Sequence, residues 1–174
     1  MIKPIIAGLL AALILIGGGA IVRASTALVA EAGHNYPEAA SYDVSDNAMA
    51  DVDAALARAS EGEKRVMLVM GANWCHDSRA LAGWLATERF QGLIDERYEL
   101  VFVNIGMPQR GDGHNLGIAK RFGVEDLPGT PNLLVLTADG ELVNGDTATS
   151  WRDTASREED AIFDELQALA RQPA

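Results

Sequence analysis

The sequence predicts an α/β protein in which a mixed central sheet is flanked by helices on both faces. Three short apolar runs, at residues 65–71, 99–105 and 133–137, have the length and composition of strands that are buried on both sides. Segments with apolar residues at helical spacing precede, separate and follow these runs. Strands that alternate with helices bury their faces against those helices, which is typical of an α/β sandwich.

Helical spacing marks three segments in the first two thirds of the folded part. The first covers residues 46–60, and Ser45 is predicted to be its N-cap. The second begins near Cys75 and covers residues 76–86, after which a further helical piece continues. A Gly-rich loop then leads to a short helix at residues 116–122.

The last third of the sequence predicts a β-hairpin followed by a helix. Residues 138–140 form a turn between the strand at 133–137 and a short partner at 141–143. Ser156 and Glu159 predict a capping box at the start of the final helix.

Size, charge and cysteine content exclude several classes of protein. The chain has 174 residues, which suits one compact domain, and a formal net charge of −11. This acidic balance opposes nucleic-acid binding, because phosphate contacts require a basic surface. A single cysteine excludes an intramolecular disulfide and any multi-thiolate metal site.

The N-terminus predicts export. Lys3 precedes an uncharged apolar run at residues 4–22, which nearly spans a bilayer core. We expect residues 1–24 to be a signal peptide, cleaved after Ala24 or Ala30, or a retained signal anchor. Residues 25–45 read as a linker and residues 46–174 as the folded domain. The predicted location is the periplasm or another extracytoplasmic compartment, with or without an inner-membrane anchor.

Two motifs stand at the ends of predicted strands. The first strand runs into residues 71–78 (GANWCHDS), and residues 129–131 (GTP) precede a strand, turn and strand. In this order and context the motifs resemble those of the thioredoxin superfamily, over roughly residues 46–169. The resemblance implies a thioredoxin-like fold with Cys75 as the active cysteine. It also implies that Pro131 is a cis-proline and that the Thr130 backbone pairs with an extended substrate.

The chemistry of Cys75 follows from its predicted place at the first turn of a helix. Free backbone N–H groups and the helix dipole favour a thiolate there, and a thiolate is a nucleophile. Trp74 would form an apolar lip, and the Ser78 hydroxyl is placed to donate a hydrogen bond to the sulfur. A protonated His76 would favour the thiolate and Asp77 would disfavour it, so their net effect stays open. Both side chains also fit solvated positions at a helix start, and Asp77 fits an interaction with the helix amides.

The motif departs from the usual family pattern in two respects. Ser78 occupies the position of the second cysteine, so this chain lacks a thiol that could resolve a mixed disulfide. Val69 occupies the position of a buried acid that serves that second thiol in many thioredoxins. A self-contained dithiol reductase is therefore excluded.

Two functions remain. The first is an exported thiol–disulfide oxidoreductase or isomerase that uses Cys75 as its single nucleophile, assisted by Ser78 and His76, and an external thiol as resolving partner. Its substrates would be protein or small-molecule thiols and disulfides, held by Trp74, Thr130 and Pro131. The alternative is a non-catalytic thioredoxin-fold binding or chaperone module in the cell envelope.

We expect no cofactor and no metal. A copper or zinc site built from Cys75, His76 and His114 is disfavoured, because the thioredoxin-fold copper chaperones use two cysteines. Trp151 and Arg152 are expected either to pack over the sheet or to contribute to a partner surface.

Overall fold

A computed structural model describes residues 35–45 and 47–173. The compact unit to which they belong begins at Asn35. Its elements are, in chain order, α1 (Ala48–Gly62), β1 (Arg65–Gly71), α2 (His76–Leu85), α3 (Glu88–Arg97), β2 (Tyr98–Asn104), β3 (Gly106–Met107), the 3₁₀ helix η1 (Pro108–Arg110), β4 (Asp112–Gly113), α4 (Leu116–Arg121), β5 (Asn132–Leu136), the 3₁₀ helix η2 (Trp151–Ser156) and α5 (Glu159–Leu169).

The main sheet is mixed and has the strand order β2-β1-β5. The central strand β1 runs parallel to β2, from the pair Arg65 and Tyr98 onwards. It runs antiparallel to β5, where Met70 lies opposite Asn132. β3 and β4 form a separate two-stranded hairpin. The predicted mixed sheet is thus confirmed.

Alternating side chains of the sheet enter two hydrophobic cores. Met67 and Val69 of β1 enter the core beneath α2, α3, η2 and α5, which we call the α2–α5 face. Leu68 and Met70 point the opposite way, toward α1 and α4, which we call the α1–α4 face. Helices therefore cover both faces of the sheet, as predicted.

The predicted strand at residues 141–143 makes a single bridge, between Leu142 and Leu136 of β5. The neighbouring side chain of Asn144 continues the pairing. Its Oδ1 accepts a hydrogen bond from the Val135 amide at 2.8 Å, and its Nδ2 donates to the Leu133 carbonyl at 2.9 Å. A buried carboxamide thus takes the place of a longer partner strand at this edge.

Two predicted helix caps are wrong. Helix α1 is capped by Asn47, whose Oδ1 accepts a hydrogen bond from the Ala50 amide. Ser45 lies one step outside, where its hydroxyl accepts from the Asn47 amide. At α5 the N-cap is Glu158, because Ser156 still belongs to η2 and its hydroxyl donates to the Asp153 carbonyl.

The predicted linker is wrong for residues 35–45, which pack along α2. The amide of Ala39 donates to the Arg79 carbonyl at 3.0 Å, and the carboxylate of Glu38 pairs with the Arg79 guanidinium. The Tyr42 side chain is 1% exposed, and its ring meets that of Phe102 edge to face. Burial of this large aromatic ring favours docking of the segment.

The predicted signal peptide or anchor lies in residues 1–24, outside the described residues. Within residues 35–45 and 47–173, no helix has the length and apolar character needed to cross a membrane.

Candidate active site

Cys75 is the N-cap of α2. Its carbonyl accepts the first hydrogen bond of the helix, from the Arg79 amide at 3.0 Å. Its Sγ lies 3.4 Å from the Thr130 carbonyl oxygen, to which the thiol donates. The residue is 7% exposed. The two sequence motifs therefore meet at the sulfur atom.

The sheet topology explains this meeting. Cys75 follows the C-terminal end of β1, and Thr130 precedes the N-terminal end of β5. Because these strands are antiparallel neighbours, both ends lie at the same edge of the sheet. The peptide bond between Thr130 and Pro131 is cis, and both residues are buried.

Ser78 lies on the inner side of α2 and is fully buried. Its Oγ accepts a hydrogen bond from the Ala72 amide at 3.4 Å, and within the described residues no hydrogen bond joins Ser78 to Sγ of Cys75. A side-chain carbon on Gly71 would lie 2.6 Å from this Oγ and 2.7 Å from the Tyr42 ring, so glycine is required there. Ser78 thus lies next to the end of β1 and to Tyr42, and its predicted thiolate contact stays a prediction.

His76 and Asp77 form a pair at the start of α2. The imidazole Nε2 lies 2.9 Å from Oδ2 of Asp77, and the His76 side chain is 65% exposed. The other oxygen of Asp77 accepts a hydrogen bond from the Ala155 amide of η2 at 2.9 Å. The expected contact of Asp77 with its own helix amides is therefore replaced by one that joins α2 to η2.

Trp74 forms one wall beside Cys75. It is 49% exposed, and its Nε1 donates to the Gly106 carbonyl at 2.9 Å. Gly106 belongs to the β3–β4 hairpin, which Asn104 supports. The Oδ1 of Asn104 accepts a hydrogen bond from the Gly106 amide and lies 3.1 Å from Nε2 of His114. His114 thus contacts Asn104. Among the described residues, no three His, Cys, Asp or Glu side chains lie close enough together to bind a metal ion.

Tyr42 is a site residue that the sequence did not identify. Its hydroxyl donates to the Ser78 carbonyl at 3.1 Å, and its amide and carbonyl both bond the side chain of Asn73. Burial raises the pKa of the Tyr42 phenol well above its usual value, although a hydrogen bond with Ser78 works in the opposite direction. An aromatic residue in a polar segment was the only sequence signal for this contact.

Trp151 and Arg152 lie in different surroundings. Trp151 is fully buried in the core of the α2–α5 face, which confirms that it packs against the sheet. Arg152 is exposed and lies against Gly129, where a side-chain carbon on the glycine would be 2.6 Å from Cδ of the arginine. Arg152 is thus placed next to the second motif.

The family match and one solved structure agree with the fold. Residues 47–138 match a family model described as thioredoxin-like. The fold is similar to the crystal structure of a disulphide isomerase from Xylella fastidiosa Temecula1, with a TM-score of 0.66, 28% identity, and coverage of 75% of this chain and 96% of that one. A further match is the C-terminal domain of DsbD from Neisseria meningitidis in the reduced form, with a TM-score of 0.37, 24% identity, and coverage of 62% and 96%. No curated protein matches the sequence. The family match spans more than half of the chain, and the chain belongs to the thioredoxin-like family.

Proposed function

We propose that this protein carries out thiol–disulfide exchange with Cys75 as its single nucleophile. The observation that carries this proposal is the 3.4 Å contact between Sγ of Cys75 and the Thr130 carbonyl oxygen. The only cysteine of the sequence thus lies at the N-cap of α2 and beside the segment that carries the cis Thr130–Pro131 bond. Both features suit a cysteine that reacts with a peptide substrate. The structural similarity to a disulphide isomerase supports the same chemistry.

The reaction has two steps. The Cys75 thiolate attacks one sulfur of a substrate disulfide, a new bond forms to Sγ, and the other sulfur leaves with the electron pair and takes up a proton. An external thiolate then attacks the substrate sulfur of this mixed disulfide, and Sγ leaves with the bonding pair. When the external thiolate belongs to the same substrate, the result is isomerisation. When it belongs to another small-molecule or protein thiol, the result is exchange.

The neighbours of Cys75 have distinct roles in this scheme. The exposed ring of Trp74 offers an apolar wall, and the backbone of Thr130 and Pro131 offers pairing partners for an extended peptide. His76 is exposed and bonded to Asp77, so it is suited to exchange protons with solvent beside the helix start. Ser78 is buried one turn after Cys75 and, as a hydroxyl, cannot form a disulfide with it.

The substitution of serine for a second cysteine has a mechanistic consequence. No second thiol of the chain competes for the mixed disulfide, so the complex persists until an external thiol arrives. The chain is thus suited to shuffling disulfides more than to net reduction.

We also propose that the protein works outside the cytoplasm. This rests on the apolar run after Lys3, which predicts an export signal or a single anchor. Disulfide substrates are common in oxidising compartments, which agrees with that location.

The test is to trap the mixed disulfide with the full chain. Wild-type protein and the variants Cys75→Ala and Ser78→Ala are incubated with a disulfide-bonded peptide, and adducts are identified by mass spectrometry. We expect an adduct at Cys75 that excess glutathione releases, its complete loss in Cys75→Ala, and its retention in Ser78→Ala. Absence of an adduct in folded wild-type protein would contradict the proposal.

The second candidate, a non-catalytic binding module, is favoured by the 7% exposure of Cys75. In that case native Cys75 would react with iodoacetamide much more slowly than the denatured chain does. The variant Cys75→Ser would then bind peptides as well as wild type does, whereas the exchange reaction requires the thiol.

A further inference from the structure

A second 3₁₀ helix borders the proposed site. Two contacts hold η2 there: the Ala155 amide donates to Asp77, and the Arg152 side chain lies on Gly129. Asp77 is two residues after Cys75, and Gly129 directly precedes the residue whose carbonyl contacts Sγ. One short element therefore contacts both the start of α2 and the segment before Thr130.

The Nε atom of Arg152 is hydrogen-bonded, and no other described residue binds its two terminal nitrogens. Its Nε donates to the Thr149 carbonyl at 3.1 Å. In the part of the chain that the structure describes, no carboxylate pairs with its guanidinium. An exposed cation without an acidic partner is notable in a chain that carries 25 acidic residues against 14 basic ones. Such a cation is available to a ligand.

A second polar group converges on the same loop. A side-chain carbon on Gly129 would lie 3.5 Å from Nε2 of Gln109, which belongs to η1. Two acids close to η2 are directed elsewhere, while Glu125 and Asp126 of the segment before Gly129 are exposed. Asp77 binds His76 and the Ala155 amide, and Asp153 lines a different pocket with Arg157 and Glu165. The rim at Gly129 thus presents two N–H donor groups and a positive charge.

We propose that Arg152, with Gln109, selects substrates in which a carboxylate flanks the reactive cysteine. The occupant is a peptide disulfide with an acidic residue next to the cysteine, whose carboxylate accepts hydrogen bonds from the guanidinium while Cys75 attacks the sulfur. This inference rests on the exchange reaction proposed above and names the substrate class of the same site. Arg152 acts on binding and orientation and takes no part in the bond changes.

The physical reason is a local reversal of the overall charge. The net charge of −11 repels acidic substrates at long range, but salt screens that repulsion. At hydrogen-bond distance, a charge-assisted contact with arginine favours a carboxylate over the neutral amide of the same shape. In an exposed position we expect about a two- to fivefold effect.

The experiment compares two matched peptides on the full-length protein. Both are blocked tetrapeptides, Gly-Glu-Cys-Gly and Gly-Gln-Cys-Gly, with the cysteine activated as the 2-pyridyl disulfide. Attack by Cys75 on the peptide sulfur forms the mixed disulfide, breaks the activated S–S bond and releases 2-thiopyridone, whose absorbance gives the rate. The disulfide and leaving group are the same, so the ratio of the two rates reports the carboxylate.

Three variants isolate Arg152. We expect the Glu peptide to react about threefold faster than the Gln peptide with wild type at low salt, and the ratio to fall to about one in Arg152→Gln. Gly129→Ala keeps the charge but occupies the space of the Arg152 stem, and it should lower the ratio as well. Arg171→Gln is the matched control: it removes an equal charge beside Ala170, whose carbonyl binds Arg65 at the opposite end of β1, and it should keep the wild-type ratio.

The outcomes separate the two proposals. Equal rates for the two peptides with wild type, or an unchanged ratio in Arg152→Gln, would overturn the selection by Arg152 and leave the exchange reaction intact. Absence of 2-thiopyridone release with both peptides, in a protein that denaturation makes reactive, would overturn the exchange reaction and with it this inference.

Discussion

The two faces of the sheet are held together in different ways. The α2–α5 face buries large aromatic side chains, and hydroxyls of this face bond backbone carbonyls: Tyr42 bonds Ser78, and Tyr98 bonds Leu166 at 2.6 Å. The α1–α4 face is built mainly from alanine and aliphatic side chains, with Phe122 as its buried aromatic residue. Directional contacts thus hold the face that carries Cys75, and close packing of small side chains holds the other.

This difference has a functional meaning. Close packing is not directional, so it secures α1 without defining the position of any one atom. A hydrogen bond from the hydroxyl of a buried tyrosine constrains both the distance and the angle to its acceptor. Helix α2, which begins directly after Cys75, receives a hydrogen bond from the Tyr42 hydroxyl and one from the Ala155 backbone amide of η2. Changes on the α2–α5 face that remove a contact to α2 should therefore alter the reactivity of Cys75, whereas changes on the α1–α4 face should alter stability alone.

The largest expected effect comes from Trp151, which is fully buried. Trp151→Ala should lower the free energy of unfolding by about 3–5 kcal/mol, because it removes a large side chain and leaves a cavity. It should also change the rate of Cys75 alkylation, because η2 would lose its anchor beside Asp77. Denaturant titration and iodoacetamide kinetics measure the two effects.

Phe122→Ala is the matched change on the α1–α4 face, where Phe122 is 8% exposed. It should destabilise the protein by about 3 kcal/mol and leave the alkylation rate of the remaining folded protein unchanged. Equal effects of both variants on Cys75 would mean that the two faces do not differ in their coupling to the site.

An intermediate effect is expected from Tyr42→Phe. The loss of the hydrogen bond to Ser78 should cost about 1 kcal/mol at neutral pH. Burial raises the pKa of Tyr42 in the folded state, so its phenol stabilises the fold fully below the unfolded pKa of about 10 and loses this contribution as pH rises further. Tyr42→Phe should therefore flatten the decline of stability above pH ~10.

Urea titrations at neutral and alkaline pH test this prediction. Tyr98→Phe is the comparison, because burial also raises the pKa of Tyr98 but its hydroxyl bonds α5 rather than α2. Both variants should flatten the alkaline decline, and only Tyr42→Phe should change Cys75 alkylation. An alkaline slope in Tyr42→Phe that matches wild type would show that this phenol ionises normally in the folded state.

The smallest effect concerns the cap of α1. Asn47→Ala should destabilise the protein by about 1 kcal/mol, since the Ala50 amide loses its side-chain acceptor. Ser45→Ala should cost less, because Ser45 bonds only the Asn47 amide and the exposed Asp51. Thermal unfolding ranks the two variants, and a larger loss for Ser45→Ala would restore Ser45 as the dominant cap. Neither variant should affect Cys75.

Local patterns predicted the elements well because their causes are local. The apolar run at 65–71 is too short for a helix and continuous enough for a central strand, and it forms β1 with the same bounds. The caps were predicted less well, because Ser45 and Asn47 are both favourable N-cap residues, whereas Glu158 stands at the N-cap of α5 without a side-chain hydrogen bond. Which of them caps depends on the residue at which the chain leaves the extended conformation.

The candidate site divides in the same way. The positions of Cys75 and Thr130 followed from motifs at strand ends, because antiparallel strands bring those ends together. Three contacts had no local signal that identifies the partner: Tyr42 with Ser78, Asp77 with Ala155, and Arg152 with Gly129. Each joins residues between 23 and 78 positions apart, and nothing in either segment specifies its partner.

By itself, then, the sequence determined the order of helices and strands, the absence of a second thiol and the place of Cys75 at a helix start, since periodicity, composition and strand ends are properties of short segments. The tertiary structure alone decided that residues 35–45 belong to the folded unit and that η2 brings Arg152, with which no carboxylate of the described residues pairs, next to Gly129. Those outcomes depend on which buried surfaces fit together, and packing across the α2–α5 face is a property of the whole folded chain.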